Sequence, residues 1–583
     1  MRKTTITLLA TAVSLSCLGV HVASAQDAGI VGHWKLQGDC RDYSGQGNHG
    51  VNHGVDLANG EFNGASAYIE VPASESLKLG DGNFAFAAWI KTPEELDDIV
   101  GDVFDLYDPA TRRGITLSIN SSAGGYQSQG TDRHVHFGID NAQSGEWQDC
   151  GRPNLTSNYV SNSLTVYKGK LYAATIDAQD EKDWCHVYRY DGGQKWTDCG
   201  RVGDGRTTGV LPLIVHNGDL YAATSTMDWT RVASGSYDPG RVFRYLGGTE
   251  WEDCGQPSDH RTLNCIASYK GKLYVGGGRN DVESGVFVSD GDSTWRPSKI
   301  FPADGPRTLF PHAMCRHSGK LYVAYPGAYA FDGDAWTYAG DTLPPDQNWF
   351  MQTHSLTIFQ GKLHAGTWPE GKVTVYQGGE DWRVMGRVGA EGTEVIAMAP
   401  YNGKLYGGSL PFAEVCRYDG EFAWTSLNKF YAPEGWQPGP PGKMSREDVK
   451  EASRVTSLTV FDGKLFASIG SSTSSVQDAP ADVRGRVFSM EAGKVASYDD
   501  DLGPGWKHVT AVREGGELKL FIDGELVAKS TSFDAAVYDV SVDAPLRIGL
   551  GQTEYFDGKM ADVRLYNRAL NEAQIKELCA VKP

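Results

Sequence analysis

The chain of 583 residues has little positive charge and, after its first 25 residues, no long apolar run. A membrane-spanning helix needs about 20 consecutive apolar residues, and no later segment approaches that length. Lys and Arg number 54 against 73 Asp and Glu, which gives a net charge of −19. This balance argues against nucleic acid as a partner, because phosphate binding depends on excess positive charge. A local arginine cluster would still allow an acidic polysaccharide to bind.

Cysteine is sparse, and several common catalytic motifs are missing. No Cys-x-x-Cys pair indicates a zinc site, and the motifs of serine hydrolases, nucleotide-binding enzymes and zinc proteases do not occur. Nine of the ten cysteines follow residue 25, so at least one of them stays unpaired. We expect buried thiols at Cys150, Cys199 and Cys254, each three residues after a Trp, and we consider a bridge between Cys40 and Cys579. These absences disfavour common enzyme classes and leave enzymatic activity open.

The first 25 residues have the pattern of a secretory signal peptide. A basic start is followed by an apolar stretch over residues 6–20 and then by Ala23-Ser24-Ala25. Small residues at these last positions are typical of a cleavage site, which we place after Ala25. The sequence therefore predicts export to the periplasm, the cell surface or the extracellular space.

A four-residue signature, Gly-(Lys/Asp)-Leu-(Tyr/His/Phe), recurs seven times through the middle of the chain. Its glycines are Gly169, Gly218, Gly271, Gly319, Gly361, Gly403 and Gly463. The intervals of 42–60 residues lie in the range of repeat architectures. Each copy separates two strand-like runs, with the glycine where a tight hairpin needs a permissive backbone. The pattern predicts the blades of a β-propeller.

A Trp segment marks the fourth strand of each repeat. These residues are Trp147, Trp196, Trp251, Trp295, Trp336, Trp382 and Trp424. Trp147 precedes the first signature, whereas the last repeat ends near residue 489 without a Trp segment. We therefore predict that the Trp147 strand completes the seventh blade and closes the ring, which removes exposed strand edges. An open array, or six blades with one degenerate unit, is the alternative.

The flanking residues carry a second pattern, divided between the two ends of the chain. The first part contains residues 33–36 (HWKL), 42–50 (DYSGQGNHG) and 84–90 (FAFAAWI), and the second contains 506–509 (WKHV), 518–524 (LKLFIDG) and 558–570 (GKMADVRLYNRAL). Together they resemble the two halves of a laminin-G-like, or concanavalin A-like, jelly roll. The middle is similar to kelch-like repeats in architecture only.

The expected fold class is all-β, a β-sandwich (jelly roll) interrupted by a seven-bladed β-propeller. The predicted segments are a signal peptide over 1–25, the first half of the jelly roll over 26–143, the propeller over 144–495 and the second half over 496–583. Insertion into a surface loop is tolerated when the ends of the inserted domain lie close together, as they do in a closed ring.

Polar residues cluster where the inner strands of the repeats begin. Counting seven residues back from each signature glycine gives Asn162, Leu211, Asn264, His312, His354, Ile396 and Thr456. By analogy with propellers in general, we expect these positions to ring one mouth of the central channel. We assign hypothetical catalytic roles to His312, His354, Tyr325 and Arg307, and ligand-binding roles to Asn264, Arg261, Arg279 and Trp368.

This set resembles the His, Tyr and Arg groups of propeller-fold polysaccharide lyases, although no contiguous motif of theirs matches. An indole can stack on a sugar face, an arginine can pair with a uronate, and His or Tyr can move protons. The alternative is that both histidines only hydrogen-bond channel water and neighbouring backbone. A glycosidase-type carboxylate pair is a weaker alternative. Its candidates are Asp177, Asp228, Glu370, Glu414 and Asp478.

The jelly-roll halves suggest calcium as the one candidate cofactor. Asp42, Asn48 and Asp562 carry hard oxygen ligands in segments that should approach each other, and the resemblance to laminin-G-like domains allows a calcium ion there. Ordinary turn chemistry, in which the Asp42 carboxylate binds nearby backbone amides, explains the same residues equally well.

We take glycan binding or adhesion as the leading hypothesis, with the exported protein recognising a polysaccharide or glycoconjugate through the jelly roll, the propeller mouth or both. The first alternative is a lyase-like polysaccharide-processing enzyme at the propeller mouth. The second is a scaffold that binds a protein partner on one propeller face, for which a flat apolar mouth would be the sign.

Overall fold

The computed structural model describes residues 28–120, 129–227, 229–278, 283–291, 293–301, 310–343, 352–439, 452–471 and 484–583. Strands dominate these ranges, so the expected all-β class is confirmed. The helices are Trp229–Ser234 and Glu572–Cys579, and short 3-10 turns lie at Glu75–Leu77, Glu181–Asp183 and Ala535–Val537. Neither helix has the length and apolar character needed to cross a membrane. The predicted signal peptide lies outside the described residues.

Two antiparallel sheets form the sandwich. The outer sheet contains, in spatial order, Ile30–Trp34, Asp557–Tyr566, Phe84–Thr92, Gly505–Glu514, Glu517–Ile522 and Glu525–Lys529, with Glu61–Asn63 also paired to Asp557–Tyr566. The propeller-facing sheet contains, in spatial order, Val51–His53, Tyr68–Val71, Leu546–Ile548, Gly101–Asp108, Arg113–Asn120, His134–Ser144 and Ala492–Tyr498.

The two ends of the chain combine within both sheets. Phe84–Thr92 lies between Asp557–Tyr566 and Gly505–Glu514, and His134–Ser144 pairs with Ala492–Tyr498. The core between the sheets is likewise built from both halves of the sequence. The interrupted sandwich is thus confirmed, while the domain limits at residues 143 and 495 remain a prediction.

The described residues between the two halves form seven blades of four antiparallel strands each. Blade 1 consists of Ser157–Tyr167, Lys170–Ala178, His186–Gly192 and Lys195–Arg201. Blade 2 consists of Gly209–His216, Asp219–Ser225, Val242–Gly247 and Glu250–Asp253. Blade 3 consists of Thr262–Tyr269, Lys272–Gly278, Ser284–Gly291 and Thr294–Phe301. Blades 4 and 5 are Ala313–His317, Lys320–Ala324, Ala328–Phe331 and Trp336–Tyr338; then Gln352–Phe359, Lys362–Trp368, Lys372–Gly378 and Asp381–Arg387. Blades 6 and 7 are Glu394–Tyr401, Lys404–Leu410, Glu414–Gly420 and Ala423–Lys429; then Ser453–Phe461, Lys464–Ser471, Val487–Met490 and Gln148–Asp149.

The seventh blade closes the ring as predicted. Gln148–Asp149, directly after Trp147, pairs with Val487–Met490 and so supplies the fourth strand of the last blade. The inner strands also contact one another in sequence, and that of blade 1 contacts that of blade 7. Neither an open array nor a six-bladed ring fits these pairings.

Hydrogen bonds from tryptophan join neighbouring blades along the rim. The Nε1 atoms of Trp196, Trp251 and Trp295 donate to the carbonyl oxygens of Cys150, Cys199 and Cys254 at 2.8, 2.9 and 2.8 Å. Each accepting cysteine belongs to the Trp segment of the preceding blade. The repeated Trp-x-Asp-Cys-Gly motif is therefore a blade-to-blade contact, in which the backbone of each cysteine accepts a bond.

The nine cysteines of the described residues are all free thiols. Cys150 and Cys199 are buried and Cys254 is half-buried, as their repeat position suggested. The bridge considered between Cys40 and Cys579 is wrong, because Cys40 packs against the core between the sheets whereas Cys579 packs on the far side of the outer sheet.

All seven signature hairpins point at the sandwich. In five blades a backbone N–H at the hairpin donates to it: Gly169 to Asp499 O, Asn217 to Thr131 Oγ1, Gly319 to Asp98 Oδ2, Gly361 to Thr553 O and Asp462 to Asp499 Oδ2, at 2.7–3.3 Å. In blade 6 Asn402 Nδ2 donates to Ile139 O at 3.0 Å. In blade 3 the carboxylate of Glu95 lies beside Gly271. The sandwich therefore covers the mouth of the propeller where the inner strands end.

Other elements pack against both broad faces of the sandwich. The propeller-facing sheet meets the hairpins, with Thr116 Oγ1 3.4 Å from Asn402 Oδ1. On the outer sheet, Val512 and Tyr566 pack against Ile575 and Leu578 of the helix Glu572–Cys579.

A buried ion pair links the two domains. Lys404 of the blade 6 hairpin binds Asp140 of the sandwich, and both side chains are buried. Tyr107 Oη also donates to Asp140 at 2.9 Å. Removing one partner of such a pair leaves an uncompensated buried charge.

We predict that Lys404→Met lowers the unfolding free energy by about 3–5 kcal/mol, because it removes one partner of the buried ion pair with Asp140. Lys272 holds the same position in the blade 3 signature, but it pairs with Asp290 at 3.5 Å with both side chains well exposed, at 46% and 37%. Lys272→Met should therefore cost about 0–1 kcal/mol. Thermal melts of both variants check this, and Lys404→Met combined with Asp140→Asn should recover part of the loss. Equal melting temperatures for the two single variants would contradict the account.

Candidate functional site

The candidate site lies at the propeller mouth away from the sandwich, where the inner strands begin. In six of the seven blades the register of the inner strand shifts near its start. In blades 3, 5, 6 and 7 the residue left without a ladder partner is Asn264, His354, Ile396 and Thr456, respectively. A bulge of this kind re-aims one side chain. These are the positions found by counting seven residues back from each signature glycine.

The predicted ring residues are buried. His312 is 2% exposed and His354 is 5% exposed, and Leu211, Asn264, Ile396 and Thr456 are as deep. We expected these side chains at the mouth itself. The side chain of Asn162 lies outside the described residues. The structure places the side chains of the other ring positions below the surface, where they are shielded from bulk water.

Four buried or nearly buried side chains, one each from blades 4 to 7, form a line that we call the His–Glu row: His312, His354, Glu394 and Arg454. The ring centroids of His312 and His354 are 4.5 Å apart. Glu394 Oε1 lies 3.6 Å from His354 Nδ1 and 3.4 Å from Arg454 Nη1. On its other side, His354 Nε2 lies 2.8 Å from Gln352 Oε1. An imidazole and a carboxylate at this separation can exchange a proton after a small movement or through one water.

The other predicted site residues differ in burial and in the contacts that they make. Asn264 is buried, and its Nδ2 has no hydrogen-bond partner within the described part of the chain. Arg261 Nη1 donates to Thr226 O at 2.5 Å, which ties part of its guanidinium to blade 2. Tyr325 is half-buried and stacks on Phe301 at 4.1 Å.

Trp368 is half-buried and lies opposite Gln352 in the blade 5 ladder, beside the strand that carries His354. Arg279 and Arg307 lie outside the described residues, so their predicted roles stay predictions.

Sequence reasoning missed Glu394 and Arg454. Both stand nine residues before a signature glycine, and the same count gives Gln352 in blade 5 and Phe310 in blade 4. Phe310 lies against His312 with ring centroids 4.2 Å apart. A second column, two residues before the first, would have found these side chains, because residues i and i+2 of a strand share a face.

The carboxylates considered for a glycosidase pair gain no support. Glu370 is held by Lys372 at 2.6 Å. Glu414 is buried, and its carboxylate packs against Gly389. Asp228, Asp478 and the side chain of Asp177 lie outside the described residues.

At the proposed calcium site, protein donors already satisfy the oxygens. Asp42 accepts bonds from the backbone N–H groups of His33, Ser44 and Asn48 at 2.8–2.9 Å. Asp562 Oδ1 lies 2.7 Å from His33 Nε2 and 3.0 Å from Arg564 Nε. This pattern favours the turn explanation, and calcium stays a prediction. Burial alone would raise the pKa of Asp562, but the hydrogen bonds from His33 and Arg564 lower this pKa to about 2.

Comparisons with known proteins identify a family for one segment of the chain and similar folds for the propeller. The model of the concanavalin A-like lectin/glucanases superfamily matches residues 488–576, which lie mostly in the second half of the sandwich. No curated protein matches the chain.

The solved structures that match include β-propeller proteins, and the three described here have TM-scores of 0.41, 0.32 and 0.25. A catalytically inactive variant of virginiamycin B lyase from Staphylococcus aureus with quinupristin has 10% identity and a TM-score of 0.41, covering 59% of this chain and 99% of its own. An aldose sugar dehydrogenase from Streptomyces coelicolor has 13% identity and a TM-score of 0.32, over 61% and 100%. A sialidase from Trypanosoma rangeli has 12% identity and a TM-score of 0.25, over 83% and 93%. At these TM-scores the neighbours carry no argument about function.

We predict that Asp562→Asn destabilises the protein near pH 6 and does so less in acid. A carboxylate whose folded-state pKa is depressed contributes stability above its unfolded pKa, and this stability is lost as pH falls through the folded value of about 2. The expected loss is about 2–3 kcal/mol at pH 6 and about half of that at pH 3. Denaturant titrations at the two pH values check it, with the surface variant Asp543→Asn as control. If calcium instead raised the melting temperature of the wild type but not of Asp562→Asn, the calcium site would be favoured over the turn explanation.

Proposed function

We propose that this protein is an exported glycan-binding protein whose ligand site is the propeller mouth away from the sandwich, at the His–Glu row. The observation that carries the proposal is the meeting of polar side chains from four consecutive blades just below that mouth. The match of residues 488–576 to the concanavalin A-like lectin/glucanases superfamily supports a carbohydrate-related role for the whole chain.

The chemistry of the mouth suits a sugar ring. Ligand sites usually combine apolar or aromatic walls with a few placed polar groups, and sugars need both. Trp368 and Tyr325 are half-buried and offer rings for stacking, while the two histidines and Glu394 offer donors and acceptors for hydroxyl groups. Arg454 would favour a carboxylated sugar, because a guanidinium binds carboxylates through paired hydrogen bonds.

In this proposal the sandwich orients the propeller. Because two chain crossings and seven hairpins join the domains, the open mouth keeps a fixed direction relative to the sandwich. Such an arrangement is useful to a surface protein that must present its binding mouth outward. The polar row disfavours the scaffold alternative, for which a flat apolar mouth was the expected sign.

We predict that the purified protein is retained by at least one polysaccharide on a glycan array or affinity gel, and that Trp368→Ala and His354→Ala each weaken retention at least about tenfold, or about 1.4 kcal/mol. Tyr43→Ala is the matched control, because Tyr43 is an exposed sandwich aromatic, 49% accessible. If Tyr43→Ala abolished retention and the propeller variants did not, the site would belong to the sandwich. A wild-type protein retained by no glycan would contradict the proposal.

A lyase-like activity is the second candidate, and the His354 to Glu394 separation of 3.6 Å favours it. A lyase removes the proton beside a uronate carboxylate and eliminates the glycosidic oxygen, which leaves an unsaturated sugar. We expect any such activity to disappear in Glu394→Gln and His354→Ala. Release of product that absorbs in the ultraviolet would identify an enzyme. Retention without release would identify a binding protein.

A further inference from the structure

Three side chains of residue types that commonly bind metals meet at the junction of the sandwich and the propeller. Asp98 follows the strand Phe84–Thr92, His317 ends the inner strand of blade 4, and Glu554 precedes the strand Asp557–Tyr566. One potential ligand atom from each lies within 4.8 Å of the others, and all three residues are buried. The junction thus brings together one residue from the first half of the sandwich, one from the propeller and one from the second half.

The carboxylates of this cluster retain free acceptor capacity. Asp98 Oδ1 accepts Ile99 N at 2.8 Å, and Oδ2 accepts Gly319 N at 3.3 Å. Glu554 Oε1 accepts Tyr555 N at 2.9 Å, while Oε2 faces His317 Nδ1 at 2.7 Å. Because each carboxylate oxygen has two lone pairs, all four oxygens can accept further bonds.

Negative charge at this junction is poorly compensated. Asp102 and Asp105 are also buried beside the cluster, and among the described residues no Lys or Arg forms an ion pair with any of the four carboxylates. The nearby guanidinium of Arg316 instead donates to the carbonyl oxygens of Leu96 and Gly130, at 2.8 and 2.5 Å. A buried charge without a partner is costly, so either protons or a cation must neutralise it.

We propose that Asp98, His317 and Glu554 bind a divalent transition-metal cation, with zinc as the fitting ion, which links the propeller to both halves of the sandwich. An imidazole with two carboxylates suits zinc, whereas calcium and magnesium prefer oxygen ligands alone. Tetrahedral ligands about 2.1 Å from zinc lie about 3.4 Å apart, which the cluster reaches with small side-chain movements. Water completes the fourth position, as in other sites with three protein ligands.

Neighbouring groups orient the ligands. Asp102 Oδ2 accepts the backbone N–H groups of Thr553 and Glu554 at 2.7 and 3.1 Å, which fixes the segment that carries Glu554. Such supporting bonds are typical of metal sites. Because zinc ligands bind in their deprotonated forms, the affinity should rise with pH. The proposal does not depend on the glycan site.

The test uses the whole purified chain, stripped with a chelator and dialysed against zinc near pH 7.5. We expect about one zinc per chain by elemental mass spectrometry and a rise in melting temperature of about 3–5 °C with excess zinc. Magnesium and calcium should give no rise. Glu554→Gln and Asp98→Asn should lose both effects. Asp105→Asn, a neighbouring buried carboxylate outside the cluster, should keep both.

X-ray absorption of the zinc-loaded wild type keeps the test decisive even if the variants misfold. The proposal expects nitrogen and oxygen ligands at about 2.0–2.2 Å. Sulfur at about 2.3 Å would place zinc on one of the free thiols, such as Cys579 beside His508, and would overturn it. Absence of bound zinc, or zinc retained equally by Glu554→Gln and Asp98→Asn, would also overturn it.

Discussion

The contact between the signature hairpins and the sandwich determines the arrangement of the rest of the molecule. Each blade turns with a glycine at positive φ, from Gly169 at 69° to Gly463 at 67°, and in five blades a backbone N–H of this turn donates to the sandwich. At Gly463, a Cβ would come within 2.3 Å of the Val495 carbonyl oxygen, so a larger residue would push the domains apart. The sandwich therefore covers one mouth of the propeller.

The same repeat that builds the hairpins also builds the open mouth. The residues seven and nine positions before each signature glycine form two columns around the channel. The fold requires only that these side chains pack against those of the neighbouring blades. Blade 2 contributes Leu211 at the first column, whereas blades 4 and 5 contribute His312 and His354. In this repeat the hairpins carry the domain contacts, while the starts of the inner strands differ in residue type from blade to blade.

Much of the fold could be predicted from the sequence because its signals are local and periodic. The glycine hairpins, the Trp segments and the displaced Trp147 sufficed for the number of blades and the closure by Gln148–Asp149. The candidate site was only partly predictable. Glu394 and Arg454 carry no motif, and their meeting with His354 depends on the radial order of the blades. The Asp98, His317 and Glu554 cluster was invisible, since its members are more than 200 residues apart and meet only through the domain junction.

Hydrogen–deuterium exchange of the signature hairpins tests the central claim that the sandwich covers this mouth. The account predicts slow exchange at Gly169, Asn217 and Gly361, whose N–H groups donate to the sandwich, and faster exchange at the exposed outer hairpins around Gly193, Gly248 and Gly379. Equally fast exchange at both sets would mean that the hairpins face water, and would contradict the arrangement on which the open mouth depends.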